Sequence, residues 1–212
     1  MQRLSCLLLL VLFSSSGCMT FNGAELPRRE LPKNAERRPL VSTEVGKITL
    51  LFNGKSGLKP PMSAKGIGNR ALTAVLTRWK GRKLISDYDP PGKLDGEADY
   101  HLEISGTQDE LGSIFGSIVT GATLFLFPSS STLDWKWKFD LTNLSTDEVY
   151  SVETKNSVTQ WMHLIFLPAL PFSFVGTFNA DSSLSAFVYS EFQDQGAWTG
   201  SDEPAGPSSE SD

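Results

Sequence analysis

Apolar and polar residues alternate along two segments of the chain, and this alternation predicts two strands of a sheet. In 98–105, Tyr100, Leu102 and Ile104 are separated by single polar residues. In 132–142 the same period of two is kept by five residues: Leu133, Trp135, Trp137, Phe139 and Leu141. Because successive side chains of a strand point to opposite faces, each segment predicts one buried and one solvated face. The segment 149–154 follows a polar turn and predicts a hairpin partner.

Apolar residues spaced three and four apart predict a helix from Ala64 to Lys80, with Ser63 as its N-cap and Gly81 closing it. A second helix is predicted over 182–192. Two further strands are predicted, a buried one over 46–52 and another over 82–88. The order of these elements predicts an α+β fold: a mostly antiparallel sheet with two helices packed on one face.

The first eighteen residues have the parts of a secretory signal peptide. A basic start ending at Arg3 precedes an apolar run over 4–13, small residues over 14–17, and then Cys18. The apolar run is half the roughly 20 residues that a membrane-spanning helix needs. We therefore expect residues 1–17 to be a signal peptide that is removed, rather than a permanent anchor.

The sequence "SSGC" at 15–18 resembles the lipobox of bacterial lipoproteins, although Ser15 stands where that motif usually has leucine. The resemblance implies that the chain is cut before Cys18 and that Cys18 carries a diacylglyceryl group. It also implies a partner, the membrane, reached through this lipid. Met19 follows the cysteine, whereas aspartate there often marks retention in the inner membrane. We therefore expect the periplasmic face of the outer membrane. Once the signal is removed, Cys18 is the only cysteine, so no intrachain disulfide can form.

Composition divides the rest of the chain into three parts. Residues 18–40 hold three prolines among many charged residues and predict a flexible tether. Residues 41–198 predict a single α+β domain, whose β-α-β-β start with an "ADY…L…I" strand is similar to small domains of several bacterial envelope lipoproteins. Residues 199–212 lack large apolar residues and predict a disordered acidic tail. The net charge of −5 argues against a nucleic-acid partner, which would require a basic surface.

Two long stretches contain no Asp, Glu, Lys or Arg, namely 111–133 and 156–180. Three interpretations stay open for their central parts, 111–127 and 161–175. They fill the core, which is the interpretation the flanking strands favour. Alternatively they form an apolar surface for a membrane or a protein partner, or they span a bilayer. Pro168 and Pro171 make a span improbable for the second stretch.

Candidate chemistry is sparse. Asp99, His101, Glu103 and Ser105 share one predicted strand face, but neighbours two apart on a strand are separated by about 6.6 Å, too far for a proton relay. His163 has no second ligand at metal spacing, and the acidic turn over 87–99 lacks the order of a calcium loop. Trp135 and Trp137 are interpreted as core rather than as a sugar-stacking platform.

From these observations we expect no catalytic residue, no metal and no cofactor, and only one modified site, the lipidated Cys18. The function that the sequence favours is that of a non-catalytic envelope lipoprotein acting through protein or membrane-surface contacts. Two alternatives are an envelope hydrolase with its site on the Asp99 to Ser105 face, and a subunit of a membrane-inserted envelope complex.

Overall fold

The computed structural model describes residues 18–22, 26–27, 29–35, 37–55, 63–89, 98–123, 126–163 and 173–198. Within these residues the chain forms six strands and three helices. Their order is β1 (Cys18–Asn22), β2 (Leu40–Phe52), α1 (Ala64–Gly81), β3 (Asp87–Tyr88), β4 (Tyr100–Gly112), α2 (Ile114–Ala122), β5 (Ser129–Asn143), β6 (Val149–Met162) and α3 (Ser173–Asp194). The predicted signal peptide and acidic tail lie outside the described residues.

The strands form one sheet in the order β1-β6-β5-β4-β2-β3. The pairs β1–β6, β6–β5 and β5–β4 are antiparallel, whereas β2 runs parallel to both β4 and β3. The β5–β6 hairpin turns at 144–148, as the sequence predicts, with the N–H of Asn143 bonded to the carbonyl of Glu148 at 2.8 Å. The parallel pairs follow from the α1 crossover, because parallel neighbours cannot be joined by a tight turn. The predicted α+β class with a mostly antiparallel sheet is confirmed.

Two helices cover one face of the sheet. α1 contacts β2, α3 contacts β6 and β1, and the two helices contact each other. Ser63 caps α1 as predicted, since its hydroxyl accepts the N–H of Gly66 at 3.0 Å. The strand residues that alternate in the sequence line the covered face, including Leu102, Ile104 and Phe139, which are fully buried. Trp137 is 6% exposed on this face, so its interpretation as a core residue is confirmed.

An aromatic cluster closes the core at the end of the sheet that holds the β5–β6 hairpin. Trp79 is fully buried and makes edge-to-face contacts with Tyr189, Phe192 and Trp198. Its ring N–H donates to the carbonyl of Ser185 at 3.0 Å, which satisfies its polar atom inside the core. The packing of Trp198 means that the described fold extends to the predicted domain boundary.

A bulge interrupts the pairing of β2 with β4. Val45 pairs with Ile104 and Ile48 with Gly106, so Gly46 and Lys47 together face Ser105. Gly106 has a φ of +146°, a conformation that residues with a Cβ rarely adopt. Bulges bend the strands that carry them, and beyond this one β4 continues for six residues to Gly112.

Three sequence expectations change in detail. Of the predicted strand over 82–88 only Asp87 and Tyr88 are extended, because the chain folds back on α1 through a bond from the N–H of Leu84 to the carbonyl of Trp79. The predicted helix over 182–192 is longer and begins at Ser173. The predicted two helices are joined by a third, α2, which lies in the first uncharged stretch.

The predicted tether over 18–40 is partly built into the domain. Residues 18–22 form β1, hydrogen-bonded along β6 at the edge of the sheet. Leu26 is buried, Leu31 packs against the core, and Arg29 lies 3.5 Å from Glu191 on α3. The reason is that this segment carries enough apolar and charged groups to find partners on the helices and the sheet edge.

Candidate functional site

The polar strand face singled out by the sequence is a set of structural contacts rather than a relay. Asp99 accepts the N–H of Leu40 at 2.7 Å and lies 3.2 Å from the Arg37 guanidinium, which fixes the start of β2. Glu103 extends over Gly46 in the bulge, and Ser105 also faces the bulge. The four residues expected on this face therefore do not converge on one point.

His101 meets residues of the neighbouring strand instead. Its Nδ1 lies 3.0 Å from the hydroxyl of Ser42, and its Nε2 lies 3.6 Å from a carboxylate oxygen of Glu44. Serine, histidine and glutamate are the residue types of a hydrolase triad. Sequence reasoning missed this grouping, because Ser42 and Glu44 lie on β2 and reach His101 only through the parallel register of β2 with β4.

The geometry of this group does not present a nucleophile. Ser42 is 1% exposed, and its hydroxyl lies 3.2 Å from the carbonyl oxygen of Tyr100, which accepts its single proton. Burial of Ser42 therefore keeps its oxygen away from a substrate, whichever ring nitrogen of His101 carries the proton. What the arrangement does is link β2 to β4 through side chains.

Metal chemistry finds no support in the described ranges. Between residues 18 and 198, leaving out the undescribed segments, no three His, Cys, Asp or Glu side chains are grouped so that they could hold an ion. Most of the acidic turn over 87–99 lies outside the described residues. His163 follows β6 and is half-buried.

A second candidate surface lies at the opposite end of the sheet from the hairpin, and we call it the apolar end. We define it as β1, the last residues of β4 and β6, α2, and the segment 126–129 that leads into β5. Five side chains here are exposed by 38 to 76%: Leu111, Phe115, Ile118, Leu126 and Phe127. Large exposed apolar side chains grouped at one end of a domain make that end a candidate contact site for a protein or a membrane.

The favoured sequence interpretation, that residues 111–127 fill the core, is wrong for these five side chains. Ser113 caps α2 by accepting the N–H of Gly116 at 3.0 Å, and α2 then packs against the start of β5. Helix α2 has nine residues and no charged side chain, so after it packs on β5 its apolar residues Phe115 and Ile118 remain outside, 76% and 62% exposed. The absence of charge was the available signal, but it fits burial and contact equally.

Cys18 lies at this same end. As the first residue of β1 it pairs with Met162 of β6, and Met162 pairs in turn with Ser129, the first residue of β5. Trp161, beside Met162, is 41% exposed. The second uncharged stretch reaches this end of the sheet through the last residues of β6, and its residues 164–172 lie outside the described part of the chain.

Among the described residues no helix has the length and apolar content needed to cross a membrane. Helix α2, which lies in the first uncharged stretch, has nine residues, less than half of the roughly 20 that a membrane-spanning helix needs.

Comparison with known proteins finds similar solved structures but assigns the chain to no family. No protein-family model matches the chain, and no curated protein matches it. Among solved structures it is similar to a Xanthomonas campestris protein of the DUF330 family, at 11% identity and a TM-score of 0.43, covering 82% of this chain and 95% of that one. It is also similar to a homologue of a neuraminyllactose-binding haemagglutinin from Helicobacter pylori, at 12% identity and a TM-score of 0.46, covering 82% and 96%.

A third similar structure is a PelC dodecamer from Paraburkholderia phytofirmans, at 12% identity and a TM-score of 0.29, covering 80% of this chain and 99% of that one. Identities and TM-scores this low assign neither a family nor a function.

Proposed function

We propose that this protein is a non-catalytic lipoprotein of a bacterial cell envelope, attached to a membrane by lipid on Cys18 and acting through contacts with an envelope protein or the membrane surface. The observation that carries the proposal is the order basic residue, apolar run, small residues and cysteine in the first eighteen positions. It also gives a role to Cys18, the one cysteine of the sequence outside the apolar run.

Anchoring by this route is strong enough to be permanent. Each buried CH₂ contributes about 0.8 kcal/mol, and one acyl chain alone gives only marginal binding. The two or three chains of a modified lipoprotein cysteine exceed that threshold by a wide margin. We place the protein at the periplasmic face of the outer membrane, because Met19 rather than aspartate follows the cysteine.

A non-catalytic role is supported by the buried Ser42, whose hydroxyl is already bonded to a backbone carbonyl. The described part of the chain offers two surfaces for contacts, the polar face of the sheet and the apolar end. The apolar end is the better candidate, since covering exposed apolar side chains with a partner removes them from water and is favourable.

The test uses the two cysteines as a matched pair. The full chain is expressed in a Gram-negative bacterium with a fatty acid that carries a clickable group, together with the variants Cys18→Ala and Cys6→Ala. We expect label on the parent chain and on Cys6→Ala, and none on Cys18→Ala. Label that persists in Cys18→Ala, or an unmodified thiol at position 18 in the mass spectrum, defeats the proposal.

Location is tested separately by fractionating the two membranes of the same host. The parent chain should sediment with the outer membrane, and Met19→Asp should shift it toward the inner membrane. Equal distribution of both forms would remove the assignment to the outer membrane while leaving the lipid anchor intact.

A further inference from the structure

We propose that the apolar end of the sheet is a membrane-contact surface, in which α2 and the segment 126–127 enter the headgroup region of the bilayer that holds Cys18. The inference rests on the proposed function and adds to it the side of the domain that faces the lipid and the residues that touch it.

Position is the first argument. Cys18, Met162 and Ser129 lie in one row across three adjacent strands. Neighbouring strands are about 4.8 Å apart, so the backbone at Cys18 lies about 10 Å from the start of β5. Leu126 and Phe127 precede Ser129 by three and two residues. The proposed lipid on Cys18 is therefore attached in the row of the sheet at which β5 begins, close to Leu126 and Phe127 in the sequence that leads into it.

Charge is the second argument. No Asp, Glu, Lys or Arg occurs in 18–22, in 111–133 or in 156–163. The five residues nearest the apolar end are therefore uncharged in β1 (18–22), β5 (129–133) and β6 (158–162), a depth of about 14 Å at 3.4 Å per residue. Interfacial segments bury their apolar face about 5–10 Å into the boundary between headgroups and acyl chains. The four outermost rows, down to the pair of Thr132 with Leu111, are about 10 Å deep, which is enough for that insertion. The first charged side chain met inward is Glu110, which pairs with Leu133 and accepts the hydroxyl of Ser131 at 3.2 Å.

Three hydroxyls on α2 and at its two ends, those of Ser113, Thr120 and Thr123, make hydrogen bonds within the helix, which lowers the cost of taking them out of water. The Ser113 hydroxyl accepts the N–H of Gly116 at 3.0 Å. Thr120 and Thr123 donate their hydroxyls to the carbonyls of Gly116 and Val119 at 2.8 Å and 2.7 Å. Transfer of a polar group to an apolar medium is expensive mainly when its hydrogen bonds are unmade.

Trp161 fits the same orientation. It is 41% exposed one residue before the Cys18 row, and tryptophan is the side chain that concentrates at membrane–water interfaces. At the hairpin end, the exposed large apolar side chains in the described residues are Leu144 and Val149. These two lie beside a turn with Asp147 and Glu148, so that end offers no uncharged zone.

The competing occupant of the apolar end is a second copy of the chain. The experiment therefore measures contact with lipid directly. In the mature lipidated chain the sulfur of Cys18 is a thioether, so a cysteine introduced elsewhere is the only free thiol. We choose Ile118→Cys and Phe127→Cys, which are 62% and 59% exposed, and Leu144→Cys, 46% exposed at the hairpin end, as the matched control.

Each variant is labelled with an environment-sensitive fluorophore and reconstituted in vesicles of phosphatidylethanolamine and phosphatidylglycerol, with and without a lipid that carries a nitroxide quencher at the headgroup. We expect blue-shifted emission and severalfold stronger quenching at 118 and 127 than at 144. Equal quenching at the three positions overturns the inference. So does a blue shift at 118 that appears in detergent without vesicles and grows with protein concentration, because this identifies a second copy as the occupant.

Mass spectrometry of Cys18 in the same samples separates this inference from the proposed function. Lipid at Cys18 without preferential quenching at 118 and 127 refutes the membrane contact alone. Preferential quenching in a Cys6→Ala, Cys18→Ser background, where the introduced cysteine is again the only thiol, combined with an unmodified thiol in the parent chain, supports the contact and refutes the lipid anchor.

Discussion

Replacing Gly106 with alanine should destabilise the domain, because β4 bends there with a backbone geometry that suits glycine. Its φ of +146° is unfavourable for any residue with a Cβ. An added Cβ would overlap the carbonyl oxygen of Lys136 and lie 3.1 Å from the Cα of Trp137. Both atoms belong to the backbone of β5, so no side-chain rotation relieves the contact.

Two terms set the magnitude. A residue held in such a region of φ and ψ costs about 1–3 kcal/mol, and overpacking against a rigid neighbour costs about 1–3 kcal/mol more. We therefore expect the free energy of unfolding to fall by at least about 2 kcal/mol. For a chain of this size each kcal/mol shifts the melting temperature by roughly 2–4 °C, so Tm should fall by at least about 4 °C.

Gly81→Ala is the matched control. It lies at the end of α1, where an added Cβ meets nothing within 4 Å, and alanine is favoured over glycine in a helix by up to about 1 kcal/mol. Urea unfolding followed by tryptophan fluorescence measures both variants. We expect a lower midpoint for Gly106→Ala with an unchanged slope, and an equal or higher midpoint for Gly81→Ala. A Gly106→Ala midpoint equal to that of the parent chain would refute the reasoning from the bulge.

Three further predictions concern the helices and the core. Gly68→Ala places a Cβ on the terminal methyl of Ile48 and should lower the free energy of unfolding by about 1–3 kcal/mol. Adding Ile48→Val, which removes that methyl, should restore part of the loss in a urea double-mutant cycle, and no restoration would contradict the assigned contact. Trp198→Ala removes ring contacts of the aromatic cluster and should lower stability by about 2–4 kcal/mol, whereas stopping the chain after 198 should leave the urea midpoint unchanged. Burial raises the pKa of Tyr100 and of Tyr189, so the folded state holds these protons more tightly than the unfolded state does. Stability should therefore be constant below about pH 10 and fall as the pH rises through the raised pKa values. Urea midpoints that stay flat from pH 8 to 11 would contradict this.

Local signals predicted the elements that local forces build. The period-two segments of β4 and β5 became strands with the expected face inward, because a strand whose alternate residues are apolar has only one way to bury them. Ser63 capped α1 because its hydroxyl satisfies an N–H that the helix leaves open. Gly68, by contrast, is an unfavourable helix residue, and the close approach of α1 to Val45 and Ile48 explains why it is there.

Local sequence signals could not predict which residues from distant parts of the chain come together. The grouping of Ser42 and Glu44 with His101 depends on a parallel register between strands separated by the α1 crossover. The exposure of Phe115 and Ile118 depends on which side of α2 meets β5. Composition alone could not decide this, since an uncharged apolar stretch is compatible with a core and with a contact surface.

The buried aromatic cluster and the proposed contact surface lie at opposite ends of the sheet. At the hairpin end, the Trp79 cluster and the bond from the Tyr100 hydroxyl to the carbonyl of Ala197 at 2.6 Å join β4, α1 and the chain after α3. At the apolar end the side chains of Phe115 and Ile118 point away from the core. Truncating them should therefore cost little folding free energy, while truncating a member of the aromatic cluster costs several kcal/mol. Because the aromatic cluster and the proposed contact surface lie at opposite ends, substitutions of Phe115 and Ile118 can report on binding without unfolding the domain.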